Sequence, residues 1–414
     1  MDSIYRLSLL LYGLTIRLGA LFHPKAKAWV EGRKQWRKRL REWERGDGRL
    51  VWMHCASLGE FEQGRPILET IHREMPEVRV FLTFYSPSGY EMRKNYPLAA
   101  GVFYLPLDTP ANARDFLDIL RPDVAIFVKY EFWVFFWNAL KKKGVPTILV
   151  SAIFRPQQPF FQPWGGIFRE MLEVPERIFV QDENSKLLLE KQGIKTSVVA
   201  GDTRIDRVLA LAEETKGWPL LEAFSSDAKV LVAGSAWPPE EKILEQWLRH
   251  PSSREWKCVI APHEIREESV QQLLRRFGEP VIRFTKAEEV DISASRIMIL
   301  DTVGMLAFVY RYGHAAFIGG GFGKGIHNIL EPMAHGLPVL FGPRHEKFRE
   351  AGLLIDEGAA WAVGNEEAFT GRMQFLSNEE NRKEASAHGQ AVLRRHQGAT
   401  DLIVKYLAKH LIHS

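Results

Sequence analysis

Short apolar runs alternate with amphipathic stretches along most of the chain after residue 50. The runs are too short for buried helices, and the stretches between them, such as 67–75 and 110–120, have helical spacing. Strands that alternate with helices predict a parallel sheet with a helical layer on both faces. The predicted strands of the first series are 50–55, 78–83, 102–105, 124–128, 147–151, 177–180 and 197–200.

A second series of the same kind follows a polar, helical segment at 208–227, which we interpret as the connection between two domains. Its predicted strands are 229–233, 257–261, 280–283, 297–300, 315–318 and 338–341. The segment 379–410 is amphipathic and helical. The fold class predicted is α/β, with two Rossmann-like, doubly wound domains at 46–215 and 216–395 that face a cleft, and a C-terminal helix at 396–414. Ligands of such sheets bind beyond the carboxyl ends of the strands.

The first 45 residues have a different pattern. Residues 4–22 are apolar apart from Arg6, Arg17 and small polar groups, and no cleavage pattern of small residues follows them. The run 25–45 is basic and carries a tryptophan at every seventh position, at Trp29, Trp36 and Trp43. This composition is typical of an anchor that lies in the interface of an anionic leaflet. A helix packed on the body of the protein and a single membrane span remain alternatives.

Composition excludes several classes of protein. Hydrophobic residues make up 46% and charged residues 26% of the chain, which is typical of a globular protein and not of a disordered or polytopic membrane protein. The formal charge of +4 argues against a protein that coats nucleic acid. Cys55 and Cys258 are too far apart for a metal-binding knuckle, and a reducing compartment is the simpler assumption.

Three loops at predicted strand ends of the first half carry candidate chemistry. Glu60 lies near a predicted helix start around Gly64, where a carboxylate serves as a general base or as a helix cap. The hydroxyl-rich loop 83–91 is suited to a sugar or a phosphate, or is a capped turn. Lys129 and Glu131 follow a buried strand, where they bind a ligand or pair with each other.

Four loops of the second half are candidates for anion binding. Gly234–Ser235, 262–266 and 301–306 each follow a strand and precede a helix, either as phosphate positions or as ordinary turns. His263 and Arg266 are predicted to share a first helical turn. The run 317–332 is stronger, because its glycines let the backbone approach a ligand and a helix is predicted to begin near His327. Glu331 is then placed to accept hydrogen bonds from a ribose diol.

Familiar motifs are absent from the sequence. The glycine run is neither G-x-G-x-x-G nor a Walker A loop, because Gly325 follows Lys324 where serine or threonine is needed. His263 lacks the second histidine of a zincin, and no G-x-S-x-G elbow or cysteine–histidine cluster occurs. The sequence therefore predicts chemistry without a metal or another cofactor.

An ordered set of motifs resembles the lipid A Kdo transferases (Kdo is 3-deoxy-D-manno-octulosonic acid), which are GT-B glycosyltransferases. The motifs are WMHCASLGEFEQGRPIL, TFYSPSGYE, EFW, APHEIR, GKGIHNILEP and PVLFGP, in the family's order and after a similar N-terminal anchor. The resemblance implies inverting transfer of Kdo from CMP-Kdo to a lipid A precursor, a lipid IVA-type disaccharide, in lipopolysaccharide core biosynthesis. It also implies a location on the cytoplasmic face of the inner membrane, in contact with its anionic lipids.

The resemblance assigns roles to residues of this chain. Glu60 is the implied base and Arg204 the implied stabiliser of the transition state, with Lys129 and Glu131 as further catalytic candidates. The implied CMP-binding residues are Ser235, Pro262, His263, Gly304, Met305, Asn328, Ile329, Leu330 and Glu331. The implied acceptor-binding residues are Ser57, Gly59, Ser86, Ser88, Gly89 and Arg155.

The chain departs from the family pattern at three positions. Lys129 stands where the family usually has glutamate, so the role of that position is changed or taken by Glu131. The family's arginine after the fifth strand is missing or shifted to Arg155, and Trp237 stands where histidine is common. Two alternatives remain, a membrane-associated GT-B transferase that uses a UDP-sugar and an inactive peripheral membrane protein of this fold. The sequence leaves open the number of Kdo residues added, the acylation of the acceptor and the oligomeric state.

Overall fold

The structure is a computed structural model that describes residues 2–412 except 130, 216, 279, 290–291 and 293–294. The chain divides into two compact units, and each is described by itself. The first unit contains Met1–Asp206 together with Gln397–Ser414, and the second contains Arg207–His396. The division therefore falls nine residues before the 215/216 boundary drawn from the sequence, and the C-terminal segment belongs to the first unit.

The first unit contains a sheet of seven parallel strands in the order β3-β2-β1-β4-β5-β6-β7. The strands are β1 (Leu50–Cys55), β2 (Arg79–Phe84), β3 (Gly101–Tyr104), β4 (Val124–Val128), β5 (Thr147–Ala152), β6 (Arg177–Val180) and β7 (Ser197–Val199). All seven were predicted from the sequence, within one or two residues at each end. The order reverses between β1 and β4, and this switch point is where a doubly wound sheet binds its ligands.

The second unit contains another seven-stranded parallel sheet, in the order β10-β11-β9-β8-β12-β13-β14. Its strands are β8 (Lys229–Ala236), β9 (Trp256–Pro262), β10 (Val281–Arg283), β11 (Ile297–Ile299), β12 (Ala315–Ile318), β13 (Val339–Phe341) and β14 (Ala360–Ala362). The edge strand β14 was missed from the sequence. The two sheets confirm the prediction of two parallel-sheet α/β domains.

Helices cover both sheets. They are α1 (Asp2–Gly19), α2 (Pro24–Gly32), α3 (Trp36–Glu42), α4 (Leu58–Glu74), α5 (Pro87–Arg93), α6 (Pro110–Leu120), α7 (Val134–Lys143), α8 (Gly166–Met171), α9 (Glu183–Glu190), α10 (Thr203–Glu213), α11 (Pro219–Ser225), α12 (Pro238–Arg249), α13 (Glu267–Phe277), α14 (Leu306–Val309), α15 (Leu330–Ala334), α16 (Arg349–Asp356), α17 (Glu366–Ser377), α18 (Glu379–Arg395) and α19 (Ala399–Leu411). The predicted tail helix is thus two helices, which separate at Gly398 where the backbone has φ +97°.

The core of the first unit has a different composition on each face of the sheet. One face is aromatic and packs Trp52, Phe127 and Trp137 against the helices α6 and α7. The other face is mainly aliphatic, and α19 completes it by packing Ile403 and Leu407 beside residues of α4. The central strands β1 and β4 are buried along their full length, which explains their continuous apolar sequences.

The basic N-terminal run forms two helices, α2 and α3, because Gln35 adopts a left-handed conformation between them. Its tryptophan face points into the first unit, where Trp29 and Trp36 are each 8% exposed. Trp43 packs on Phe81 with ring centroids 4.7 Å apart. The tryptophans were read as part of an interfacial anchor, but their packing makes them part of the protein core.

Helix α1 packs on the same unit with one face only. The Tyr5 hydroxyl donates to the Asp108 carboxylate at 2.8 Å, and Tyr12 stacks on Tyr85 at 6.4 Å. The opposite face leaves a row of large apolar side chains exposed, made of Leu7, Leu10, Leu11, Leu14, Leu18, Leu21 and Phe22. Within the described residues no single helix has the length and apolar character to cross a membrane; the stretches Tyr5–Gly19 and Pro24–Gly32 reach them only together, with a bend of 119° between them.

Candidate active site

Glu60 lies at the carboxyl edge of the first sheet, in the first turn of α4. This helix begins at Leu58, six residues before the predicted start near Gly64, because Ser57 already takes the extended N-cap conformation. The Ser57 hydroxyl donates to the Glu60 carboxylate. Glu60 is half-buried and Gly59 is exposed, so the carboxylate and an open stretch of backbone lie side by side.

A buried polar network lies beside this turn and joins the ends of β1, β2 and β4. The His54 imidazole contacts the Thr83 hydroxyl through Nδ1 at 2.8 Å and the Glu131 carboxylate through Nε2 at 3.2 Å. The Trp133 indole N–H donates to the same carboxylate at 2.8 Å. His54 is fully buried and Glu131 is 8% exposed. Glu131 is therefore held as a hydrogen-bond acceptor at the switch point of the sheet.

A second charged cluster lies at the ends of β4 and β7. The Arg204 guanidinium binds the Asp202 carboxylate through two nitrogens, at 2.6 and 3.0 Å. Burial acts to raise the pKa of Asp202, but Arg204 and the charge of Lys129 outweigh it and hold the pKa below its usual range. Lys129 has a left-handed backbone with φ +69°. Two cations thus act on one partly buried carboxylate, while the Glu131 carboxylate contacts His54 and Trp133.

The Arg204 cluster is tied to the helix that carries Glu60. The Thr203 hydroxyl donates to the Gln63 carbonyl of α4 at 2.6 Å and contacts the Ser151 hydroxyl at 3.2 Å. Gln63 lies one helical turn after Glu60. The structure therefore brings the predicted base and the predicted stabilising arginine to the same edge of one sheet.

The predicted acceptor-binding residues separate into exposed and packed positions. The Ser86 and Ser88 hydroxyls lie 2.8 Å apart at the start of α5, and Ser86 caps that helix through the Ser88 N–H. Gly89 is buried, and a Cβ there would lie 2.4 Å from the Phe84 ring, so this glycine is needed for packing. Arg155 is exposed and lies after β5.

Glycines shape the corresponding edge of the second sheet. A Cβ on Gly319 would lie 2.0 Å from the Ser235 carbonyl oxygen, and a Cβ on Gly321 would lie 2.5 Å from the Gly342 nitrogen. Ser235 itself has a left-handed backbone with φ +52°. The loop after β12 therefore passes against main chain on both sides, and the Gly319 N–H donates to the Gly234 carbonyl of β8 at 2.9 Å.

Glu240 holds this glycine loop in place through hydrogen bonds. Its carboxylate accepts the Gly320 N–H at 2.8 Å and the Trp237 N–H at 3.2 Å, and the residue is 1% exposed. Burial raises the pKa of Glu240 above its usual value, although the N–H donors act in the opposite direction. One acid thus connects the start of α12 to the loop after β12.

Three aromatic rings stack at the same edge. The Trp237 and His263 centroids lie 4.0 Å apart, and those of His263 and His327 lie 4.6 Å apart. The Trp237 indole N–H donates to His327 Nε2 at 3.0 Å, which requires that this nitrogen be unprotonated. Burial lowers the pKa of both histidines, and His263 lowers that of His327 further. The stack is therefore an uncharged, planar surface near neutral pH.

The helix predicted near His327 was placed wrongly. It is α15, which begins only at Leu330 and has five residues, so it offers no extended N-terminal anion site. The Asn328 side chain caps it by accepting the Leu330 N–H at 3.0 Å and donates to Glu331 at 2.9 Å. The side chains of Ile329 and Leu330 are buried, so any contact they make with a ligand is through the backbone.

The loops after β9 and β11 also differ from expectation. His263 and Arg266 share no helical turn, because α13 begins at Glu267 and Arg266 is its extended N-cap, paired with Glu264 at 3.0 Å. The helix predicted from Asp301 begins only at Leu306 and has four residues. Two predicted site residues precede this helix: Gly304 is exposed and has φ +84°, and Met305 is partly buried. Pro262 is buried at the end of β9.

Several residues of the site were missed from the sequence. His54 lies inside a quoted motif but in a strand whose burial pattern gives no sign of its partners. Asp202 precedes a helix, where acids are common caps, and only the fold shows that it binds Arg204. Glu240 follows Trp237 by three residues, and this capping-box spacing was the available signal. No group of three histidine, cysteine or acidic residues in the described part of the chain is placed to hold a metal ion.

The fold of the chain is shared with solved enzymes. A UDP-GlcNAc 2-epimerase from Neisseria meningitidis matches with a TM-score of 0.59 at 15% identity, over 87% of this chain and 100% of that one. MurG from Acinetobacter baumannii matches with a TM-score of 0.55 at 12% identity, over 88% and 100% of the two chains. At these identities the likeness concerns the fold, and it agrees with the GT-B type predicted from the sequence.

Sequence comparisons identify the family. The family model of 3-deoxy-D-manno-octulosonic-acid transferase (kdotransferase) matches residues 34–207. The chain is 26% identical over 368 residues to a 3-deoxy-D-manno-octulosonic acid transferase of Chlamydia trachomatis serovar A, which covers 86% of this chain and 84% of the relative. It is 28% identical over 339 residues to the transferase of the same name from Aquifex aeolicus, which covers 79% and 86%. These similarities confirm the resemblance to the Kdo transferase family that the ordered motifs predicted.

Proposed function

We propose that this Kdo transferase takes its sugar from CMP-Kdo and passes it, with inversion, to a hydroxyl of a lipid A precursor. The observation that carries the proposal is Glu60, a half-buried carboxylate at the switch-point edge of the first sheet that accepts a hydrogen bond from a serine hydroxyl. A carboxylate in this position is suited to accept a proton from an incoming hydroxyl.

In the proposed reaction, Glu60 accepts the proton of the acceptor hydroxyl while its oxygen attacks the anomeric carbon of Kdo. A new C–O bond forms as the bond from that carbon to the CMP phosphate oxygen breaks, and CMP leaves with the electron pair. A single displacement of this kind inverts the anomeric configuration. No redox partner or metal takes part in the balance, so we propose that the transfer needs no cofactor.

Arg204 and Lys129 supply positive charge at the same sheet edge. Because both act on the Asp202 carboxylate, the cluster as a whole carries one positive charge. We assign to it the stabilisation of negative charge that develops during transfer, since preorganised charges lower the barrier most when they need not move. The family's usual glutamate would reverse the sign of this charge, so the exchange to Lys129 changes the electrostatics of the site.

We assign CMP to the carboxyl edge of the second sheet. The glycine loop 319–325 packs closely on neighbouring main chain, and the stack of Trp237, His263 and His327 presents a planar face beside it. The Ser235 main chain and the pair Asn328–Glu331 lie at neighbouring strand ends, where a ribose and a phosphate find hydroxyl, amide and carboxylate partners.

We propose that the protein works on the cytoplasmic face of the inner membrane. Helix α1 leaves a row of leucines exposed, and Phe22 at its end is 88% exposed. Large apolar side chains at such exposure are typical of a surface that enters a bilayer interface. An acceptor with acyl chains lies in the same leaflet, whereas CMP-Kdo arrives from solution.

The test is transfer from CMP-Kdo, generated in situ, to a tetraacylated lipid A precursor, with products resolved by mass. Glu60→Gln is compared with wild type and with Glu74→Gln, a control at the exposed end of the same helix. We expect Kdo addition by wild type and the control, and a loss of about 10²- to 10⁴-fold for Glu60→Gln. Full transfer by Glu60→Gln would remove its role, and turnover with a UDP-sugar but not with CMP-Kdo would overturn the donor assignment.

A further inference from the structure

A cavity outside the candidate active site lies between α6 and α7 of the first unit. Its volume is about 820 Å³, and it is lined by Pro110, Arg114, Phe135, Asn138, Ala139, Lys141, Lys142 and Lys143. Four of these eight side chains are cationic and none is acidic. None of these eight residues was predicted from the sequence to bind a substrate.

The two ends of the cavity differ in chemistry. Phe135, Pro110 and Ala139 form an apolar end, and Phe135 contacts α1, since its ring centroid lies 5.6 Å from that of Tyr5 and 5.4 Å from the Arg6 guanidinium carbon. The lysines of the last turn of α7 form the cationic end. The apolar end therefore adjoins the helix that carries the exposed leucine row.

The acidic groups near the cavity leave positive charge unmatched. Lys143 pairs with Asp118 at 2.5 Å and Arg114 pairs with Asp115 at 3.0 Å. Asp115 is already bound by Arg37 at 2.8 Å, so it serves two arginines. Among the described residues no carboxylate pairs with Lys141 or Lys142, and both side chains are exposed.

The dipole of α7 accounts for only part of this arrangement. Cations are favoured in the last turn of any helix, and Lys141–Lys143 occupy that turn before the Gly144 cap. Arg114 comes from a different helix, however, and lines the same cavity. Like charges gathered around one cavity repel each other, and an anion placed among them relieves that repulsion.

We propose that this cavity, here named the lysine cavity, binds the phosphate headgroup of an anionic membrane phospholipid, with the acyl part of the lipid directed along Phe135 toward α1. The proposal rests on the proposed membrane location and adds a defined lipid site to it. Charge complementarity and continuity with the exposed leucine row favour a membrane lipid over a soluble anion. The site lies apart from Glu60, so it recruits and orients the protein and takes no part in the transfer chemistry.

The first experiment compares binding to vesicles of phosphatidylcholine alone and of phosphatidylcholine with phosphatidylglycerol, by sedimentation. The double variant Lys141→Gln/Lys142→Gln is matched with Lys191→Gln/Lys195→Gln, two exposed lysines at the other edge of the same sheet with the same change in charge. Each lysine near an anionic surface contributes about a 5-fold gain in binding, so we expect the cavity variant to lose about 25-fold and the control far less. Equal losses for both variants would overturn a defined site and leave only general charge attraction.

The second experiment separates a lipid from a free anion. Lysine acetylation, read by mass spectrometry, is followed with phosphatidylglycerol vesicles and with inorganic phosphate at the same phosphorus concentration. We expect vesicles to protect Lys141 and Lys142 and leave Lys191 reactive, and we expect inorganic phosphate to protect none of them. Equal protection by inorganic phosphate would overturn the lipid assignment in favour of a soluble phosphate.

The enzyme assay distinguishes failure of this proposal from failure of the proposed function. With the acceptor dispersed in detergent, Kdo transfer by Lys141→Gln/Lys142→Gln should equal that of wild type, and only the rate on vesicle-bound acceptor should fall. Unchanged rates in both settings would overturn the lipid site while the transferase assignment stands. Absence of transfer by wild type in detergent would count against the proposed function alone.

Discussion

The two units have the same sheet topology at their centre but build their candidate sites from different parts of the chain. In the first unit, charged side chains contact one another, as Arg204 does with Asp202 and His54 does with Glu131. In the second unit, stacked aromatic rings lie beside a loop in which glycines permit the close approach of main-chain segments, at Gly319 and Gly321. A proton transfer needs an ionisable group at one place, whereas a nucleotide needs a shaped surface with many weak donors. The contrast predicts that substitutions in the two units fail in different ways.

The largest effect should follow from adding one methyl group to the second unit. Gly319→Ala places a Cβ 2.0 Å from a main-chain oxygen that cannot move away as a side chain can. We expect a loss of about 3 kcal/mol or more in the free energy of unfolding, together with loss of CMP binding. Thermal unfolding and calorimetric titration with CMP measure both. Gly364→Ala is the control, because nothing lies within 4 Å of its added Cβ, and equal stability of the two variants would contradict the close approach.

The next effect concerns the buried charge cluster of the first unit. Asp202→Asn leaves Arg204 and Lys129 without their shared carboxylate, and we expect a loss of about 3 kcal/mol in stability. Because the pKa of Asp202 is lowered in the folded protein, its stabilisation is present above the unfolded pKa near 4 and is lost as pH falls; the variant should lack this acid dependence. Urea unfolding between pH 3 and pH 7 measures this acid dependence. The range extends from about one unit below to about three units above the unfolded pKa of an aspartate. Asp118→Asn, from an exposed pair, should cost less than about 1 kcal/mol, and a comparable cost in both variants would contradict the prediction.

Asp108 in the first unit and three histidines in the second unit should contribute to stability with opposite pH slopes below about pH 6.5. Burial raises the pKa of Asp108 in the first unit to about 6, so its contribution to stability is present below about pH 4 and is lost as pH rises through 6. Burial lowers the pKa of His263, His327 and His335 in the second unit, so their contribution is lost as pH falls below 6.5. Hydrogen exchange of peptides from each unit, at a series of pH values, measures the two slopes separately.

Single variants sharpen that comparison. Asp108→Asn should remove about 2 to 3 kcal/mol of pH dependence from the first unit and leave the second unchanged. His327→Gln should reduce the loss of stability at acid pH in the second unit only. A change in both units from either variant would show that the titrations are not local.

The smallest effect is expected at the aromatic stack. Trp237→Phe keeps a ring beside His263 but removes the N–H that binds His327, which should cost about 1 kcal/mol in stability of the second unit. Trp237→Ala removes the ring as well and should cost more. Urea unfolding of the three proteins measures the difference, and identical values for phenylalanine and alanine would show that stacking contributes nothing.

The sheets were predictable from the sequence because their central strands are buried along all or most of their length. Continuous apolar runs such as 124–128 and 315–318 carry this signal locally, and both match β4 and β12 at their ends. The helix starts around 262–266, 301–306 and 327 were not predictable, because each depends on a cap or turn that forms only against the rest of the unit. Arg266, for example, is held as an extended N-cap, so His263 has no helical partner.

The sequence motifs predicted individual residues of the candidate site, but they did not predict the contacts between residues of different motifs. Glu60 and Arg204 were identified individually, but their connection runs through Thr203 and Gln63, which carry no signal of their own. Lys129 was read as a disturbed family position. Its influence on Asp202 depends on a left-handed backbone at the end of β4 and on the position of a loop about 70 residues later, neither of which is written in the local sequence.

The Asp206 carboxylate accepts the N–H groups of Gly398 at 2.6 Å and Thr400 at 2.7 Å, beside the points where the chain leaves the first unit and returns to it. The returning helix α19 supplies Ile403, Val404, Leu407 and Leu411 to the core of that unit. During synthesis on the ribosome, the second unit is therefore complete while the first still lacks part of its core. The order in which the two units mature is thus the reverse of their order in the chain, and the nascent first unit keeps an apolar face of α4 uncovered until the final helix emerges.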